Sequence, residues 1–254
     1  MINLLRMDLY RFKKNRIMAL LLLIFCAFQI FGIFMMRQYE STLQDIGIPV
    51  RAMNESQFMQ HVLSQSPSWM LMYIMVFSVY FYLSEHQSGF YKNYISMNNA
   101  RTHSTVSKIL ILALFTGLMF VTLFVADLAG RAMFFDQASI GDWGYLLKML
   151  IGQFLLHWAF AILMLCISMI TRHVIVSITA GLILALNVVG MLLAGLESLM
   201  SKVQLSQYLL VNTIMSSKDL NHSGDLIHVG GVAVFSILLF SWVAVRFKQR
   251  EDLG

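Results

Sequence analysis

Apolar residues along this chain gather into long blocks, and charge is confined to the stretches between them. Six blocks are expected to span a membrane, at approximately 17–36, 67–84, 109–126, 149–170, 174–196 and 226–245. No water inside a bilayer can satisfy backbone N–H and C=O groups, so each block is expected as a helix. At about 1.5 Å rise per residue, roughly 20 residues cross a hydrocarbon layer about 30 Å thick. Five blocks approach that length. The second has an apolar centre of only 69–83 and is expected to borrow serines at one end or the other.

The segments between the blocks are distinctive. Residues 1–16 read as an amphipathic helix on a membrane surface: Leu5, Leu9 and Phe12 share a face, and Arg6, Lys13 and Lys14 can reach headgroups. The first block is too long for a secretory signal and ends in Met35-Met36-Arg37 without a small-residue cleavage site, so it is expected as a retained span. Only Thr171-Arg172-His173 joins blocks four and five, which predicts a tight helical hairpin. Residues 197–225 are semi-apolar at first and are expected as interfacial or re-entrant helices. No internal repeat and no pair of glycine- or proline-broken spans is visible, which lowers the case for an ion-coupled carrier. So does the placing of Asp127 and Glu197 at the ends of spans.

Composition agrees with a bilayer. Of 254 residues, 58% are apolar and 12% charged, too little polar surface for a soluble domain of this length. The chain is therefore read as an all-α polytopic membrane protein, a single transmembrane domain over residues 1–254. Charge sets its orientation. With the N-terminus inside, twelve of the eighteen basic residues fall on inner segments, and six (Arg37, Arg51, Arg131, Lys148, Lys202 and Lys218) fall outside. Both termini are then cytoplasmic, and the net charge of +5 reflects that bias beside anionic lipid rather than a nucleic-acid partner.

Catalytic signatures are missing. No GxxxxGK[ST], HExxH, GxSxG or CxxC occurs, so the chain is read as neither an ATPase nor another enzyme. Cys26 and Cys166 lie inside apolar blocks as packing residues, and His222 and His228 have no metal-binding spacing. Polar residues within the blocks are few: Gln29, Gln153, His157, Asn187 and His228. Gln153 and His157 share a helix face. They either line a substrate path or form interhelical hydrogen bonds of about 0.6–2 kcal/mol each. Tyr73, Phe77 and Phe81 make a stripe on the second block, readable as a path lining or as packing.

The stretch 85–108 is too polar to span a membrane and too aromatic for a passive linker. Its Gly89-Phe90-Tyr91-Lys92-Asn93-Tyr94-Ile95-Ser96, followed by Arg101 and Lys108, resembles the cytoplasmic loop of permease subunits in type-2 ABC exporters. The basic amphipathic start and the six-span layout resemble the same family. It departs in having Met97-Asn98-Asn99 where a glycine is common. The nearest likeness is to small permeases serving bacitracin, lantibiotics and phenol-soluble modulins.

The resemblance implies a bacterial plasma-membrane permease exporting, or giving immunity to, amphipathic peptides. It implies a second permease copy, identical or related, and two copies of a separate ATPase subunit that holds ATP and Mg. The coupling segment would present Glu85, His86, Gly89, Phe90, Tyr91, Lys92, Asn93, Tyr94 and Arg101 to that ATPase, with aromatic anchors inside a charged rim. The path would draw on Tyr73, Phe77, Phe81, Gln153, His157 and Asn187. A membrane-bound sensor or scaffold, whose loop binds some other protein, is the alternative.

Overall fold

A short first helix, α1 (Ile2–Lys13), gives way within two residues to a long one, α2 (Arg16–Gln38). Asn15 makes the break: its side-chain oxygen accepts from the backbone N–H groups of Ile17 at 2.9 Å and Met18 at 3.3 Å. Capping of this kind occupies donors that have no partner inside the helix. After α3 (Glu40–Asp45), a reciprocal cap between Asn54 and Gln57 opens α4 (Glu55–Ser64). Then come α5 (Trp69–Gln87), α6 (Ala100–Phe134) and α7 (Trp143–Thr171), the last capped by Asp142. The chain continues through α8 (Val174–Ala185), α9 (Val188–Leu199), α10 (Leu210–Met215) and α11 (Ser223–Arg250).

This computed structural model describes residues 2–65, 67–93, 99–135, 140–199, 205–216 and 220–250, with backbone only at Lys92 and Asn93. No strand occurs among the described residues. The fold is all-α and polytopic. Helices α2, α6, α7 and α11 are each long and apolar enough to cross a membrane. Two bent pairs, α4 with α5 at 63° and α8 with α9 at 46°, raise the count to as many as six.

The fifth apolar block contains a break that its hydropathy does not announce. Helix α8 ends at Ala185, and Asn187 adopts a left-handed backbone at φ 57° before α9 begins. Asparagine enters that region at little cost, so no glycine or proline is needed. Helix α6 departs in the other direction: its 35 residues run well past both ends of the apolar block.

Helix α7 is the centre of the bundle, packed against α5, α6, α8, α10 and α11, while α2 lies along α6. Its Leu156, Ala159, Phe160, Ile162 and Met164 are fully buried. At the neighbouring seam Phe77 of α5 stacks on Phe115 of α6, with centroids 3.8 Å apart, and Phe12 of α1 meets Phe77 edge-on at 5.8 Å. The faces of α2, α8 and α9 left outside the bundle are apolar, as a lipid-facing surface requires.

Gly181 lets α8 lie close to its neighbours. A Cβ there would sit 2.3 Å from Met75 Sδ and 2.7 Å from Met164 Cε. Methionine ends can shift, but a branched side chain needs more room than they can yield. Gly181→Val is expected to destabilise the purified protein by about 1–3 kcal/mol, read as earlier thermal unfolding in detergent.

Candidate functional site

Where α1, α5 and α6 meet, four charged side chains leave water together. Asp8 lies on the inner face of α1, Glu85 near the end of α5, and Lys108 two turns into α6, each at most 3% exposed. Arg11, one turn beyond Asp8, closes the set from the rim. Lys108 Nζ donates to Glu85 Oε1 at 3.0 Å and to Ser104 Oγ at 2.8 Å, and lies 3.8 Å from Asp8 Oδ2. Ser107 Oγ donates to Asp8 Oδ2 at 2.6 Å. Arg11 donates to Asp8 at 3.3 Å and also pairs with Glu85 Oε2. Two carboxylates thus face two cations, which is the condition for burying such groups without a large uncompensated charge.

Burial pushes the Asp8 carboxyl above its ordinary 3.8, Lys108 and the Ser107 hydroxyl pull it down, Glu85 pushes it further up, and Arg11 pulls down again. A carboxyl raised in the folded state stabilises fully below its unfolded value, and that stability is lost as pH rises through the folded value. Asp8→Asn is therefore expected to flatten the stability profile above pH 3.8, with thermal unfolding of both proteins across acid pH as the measurement.

The segment after α5 is held from two sides. Arg11 lies over the rings of Phe81 at 5.2 Å and Phe90 at 5.6 Å. From the other side, Lys248 near the end of α11 lies 5.7 Å from the ring centres of both Tyr82 and Tyr91. His86 stacks between those same tyrosines. Arg101 donates to the Gln249 carbonyl at 3.0 Å, and Gln249 returns a bond to Thr102 at 3.0 Å. The loop is thus joined to α1 and to the end of α11 by charged and aromatic contacts.

Six of the nine residues singled out in the coupling segment have described side chains or, for Gly89, a described backbone. Glu85 is buried in the ion cluster, not presented outward. His86 and Tyr91 are half-buried in their stack, and Arg101 is half-buried on α11. Gly89 turns the chain at φ 67°, with open space where a side chain would stand. Phe90 is exposed. Lys92 and Asn93 lie in a short 3-10 turn, Phe90–Asn93, their side chains outside the described set, and Tyr94 lies outside the described residues.

The residues suggested for a path are spread over different partners. Phe77 and Phe81 are buried in the aromatic seam, and Tyr73 is half-buried against Phe25. Gln153 donates to the Ile214 carbonyl of α10 at 3.2 Å. His157 is fully buried, with Nδ1 2.7 Å from the Gln153 carbonyl, so Nδ1 carries the proton and the ring meets Phe120 edge-on. Asn187 forms the α8–α9 break, where its carboxamide and that of Asn212 crowd Gly190. An apolar groove of about 770 Å³ lies elsewhere, between Tyr208–Leu210 and α11, walled by Ile227, Phe235 and Leu239 with His228 among its lining.

Asp8 and Lys108 were not singled out from the sequence as partners. The available signal was a lone acid on the buried side of a basic amphipathic helix. Cys26 and Cys166 are free, and no group of three His, Cys, Asp or Glu able to hold a metal occurs among the described residues. A family model described as ABC-2 family transporter protein matches residues 4–190, from α1 into α9. No curated protein matches the chain.

Proposed function

Because the chain belongs to the ABC-2 family of transporter proteins, we propose that it moves amphipathic peptides out of the cell or away from its membrane. It is a multi-pass plasma-membrane permease subunit of an ABC transporter and partners an ATPase subunit. The cargo proposed is a short amphipathic helix of the phenol-soluble-modulin or bacteriocin kind. Support for this comes from the sequence resemblance and from the groove between Tyr208–Leu210 and α11, apolar along its walls and polar at His228. An amphipathic helix needs a surface of this divided character.

The reading rests above all on the junction of α1, α5 and α6. A loop that only linked two spans would not need a balanced four-charge cluster buried at its base. In the proposed orientation both termini and residues 85–108 are cytoplasmic, and Phe90, with Lys92, Asn93 and Tyr94, meets the ATPase. Glu85 then works from inside, tying the loop to α1 and α6. Two permeases pair, the path runs between them, and ATP closes two ATPase subunits against the loops. The cycle is driven by the difference in ATP affinity between the two permease states.

Co-purification from detergent with the ATPase encoded beside it, followed by ATP hydrolysis with and without amphipathic peptides, tests this reading. Stoichiometric capture and peptide-stimulated hydrolysis are expected. If a folded permease retains no ATPase, the docking assignment fails; capture without any response to peptide removes the cargo. Phe90→Ala and Arg101→Glu are each expected to leave the protein inserted and to weaken ATPase capture about tenfold, the scale of an interface anchor. Arg101→Glu also severs the bond to α11.

A further inference from the structure

A second buried ionic group lies at the opposite end of α6, and its charges do not balance. Arg131 Nη1 donates to Glu55 Oε2 of α4 at 3.0 Å, and the guanidinium also reaches the Met53 carbonyl. One turn before it, Asp127 Oδ1 accepts from Gln29 Nε2 of α2 at 2.8 Å. Asp127 and Glu55 are wholly buried and Arg131 is 1% exposed. Among the described residues, Asp127 Oδ2, Glu55 Oε1 and Arg131 Nε find no hydrogen-bond partner. Two carboxyl groups therefore share a buried interior with one cation.

Among the described residues, Arg131 is the cation whose charge reaches Asp127 and Glu55, and Arg51, just before α4, is exposed. On α2, Arg37 pairs with Glu40. His61 of α4 is turned to Gln65 at 3.3 Å. Asp142, which caps α7, and Lys148 on α7 are exposed. A net negative charge in a low-dielectric site is strongly disfavoured, and the group relieves it by neutralising one acid. A metal ion would need several convergent oxygens, and none of the described carboxylate or histidine groups is arranged to give them. A proton needs only one.

We propose that Asp127 and Glu55 form a proton-binding site, holding one proton between them that exchanges with bulk water through the adjoining cavity. That cavity, about 110 Å³, is lined by Gln29, Gln65, Ser68 and Trp69, and by Leu123 one turn before Asp127. It has room for several waters. Gln29 has its amide on Asp127 and its flank in the cavity, so it marks the way in. With the proton bound, the cluster is neutral and α2, α4 and α6 pack without strain. Release of the proton at alkaline pH leaves a bare charge and loosens that end of the bundle. The site thus goes beyond ATP-driven transport, making the permease sensitive to pH on one side of the membrane.

Infrared spectroscopy of the purified protein tests this without ATPase or cargo. Asp8→Asn is used as the background, because Asp8 and Glu85 are the other buried carboxyls among the described residues, and without Asp8 the Glu85 carboxylate keeps both Lys108 and Arg11. A protonated-carboxyl band is expected at neutral pH and lost on alkaline titration. It is expected to vanish in Asp127→Asn, which removes its carrier. It should vanish in Glu55→Gln as well, because one carboxylate then balances Arg131. Absence of the band in the unsubstituted cluster, or its survival in either variant, overturns the proposal. Should a variant fail to fold, the band and its titration in the unsubstituted cluster decide the matter alone.

Discussion

Lys108→Met is expected to destabilise the protein by about 3–5 kcal/mol, the cost of removing one partner from a buried ion pair. Nearly all of that cost comes from what is left behind. The methionine fills similar space, but Asp8 and Glu85 remain buried, each having lost the Lys108 charge and keeping the half-exposed Arg11. The double variant Lys108→Met with Glu85→Gln restores the charge balance against Arg11 and is expected to recover most of the loss. Thermal unfolding of the three proteins in one detergent measures the coupling. If the double variant is no better than the single, the cluster is held by packing rather than by charge. The same comparison bears on function, since loosened α1 and α5 should lower ATPase capture without any change to the exposed Phe90.

At the other end of α6, Arg131→Met is expected to cost a similar amount, about 3–5 kcal/mol at neutral pH. Glu55 loses its ion pair, Asp127 loses its nearby cation, and the Met53 carbonyl loses a donor. The destabilisation should shrink as pH falls, because protonating the remaining carboxylate removes the charge that the methionine cannot meet. Adding Glu55→Gln should recover stability at neutral pH and give little further gain at low pH. Unfolding curves of the single and double variants across pH would show this, and a pH-independent loss would assign the effect to packing instead.

The all-helical membrane architecture was legible because apolar blocks of span length leave the chain few alternatives in lipid. The spacing of Leu5, Leu9 and Phe12 pointed to a helix before the first span, but the face that α1 buries is Leu4, Asp8 and Phe12, and Leu9 is exposed. Pairing between distant residues was not. Asp8 and Ser107 are 99 positions apart, and no local pattern links them. Glu85 therefore looked like an outward contact, though the fold turns it in. The α8–α9 break was hidden because a left-handed asparagine leaves hydropathy unchanged. Asp127 was placed at a span end because the apolar run stops there, whereas the helix runs on to Phe134. A usable signal did exist: Asp127 and Arg131 stand four apart, on one face of any helix that continues past the block.

Helix α6 carries Lys108 near one end and Arg131 near the other. At 1.5 Å per residue they are about 35 Å apart along one unbroken rod. Each end is clamped to its neighbours by charge, so the rod cannot slip at one clamp without loading the other. On the proposed reading, a push on the loop before Ala100 is expected to reach the cluster at Glu55 as tilt or axial travel of α6. The strength of those two clamps, more than the apolar seam between them, sets how faithfully one face of the membrane follows the other.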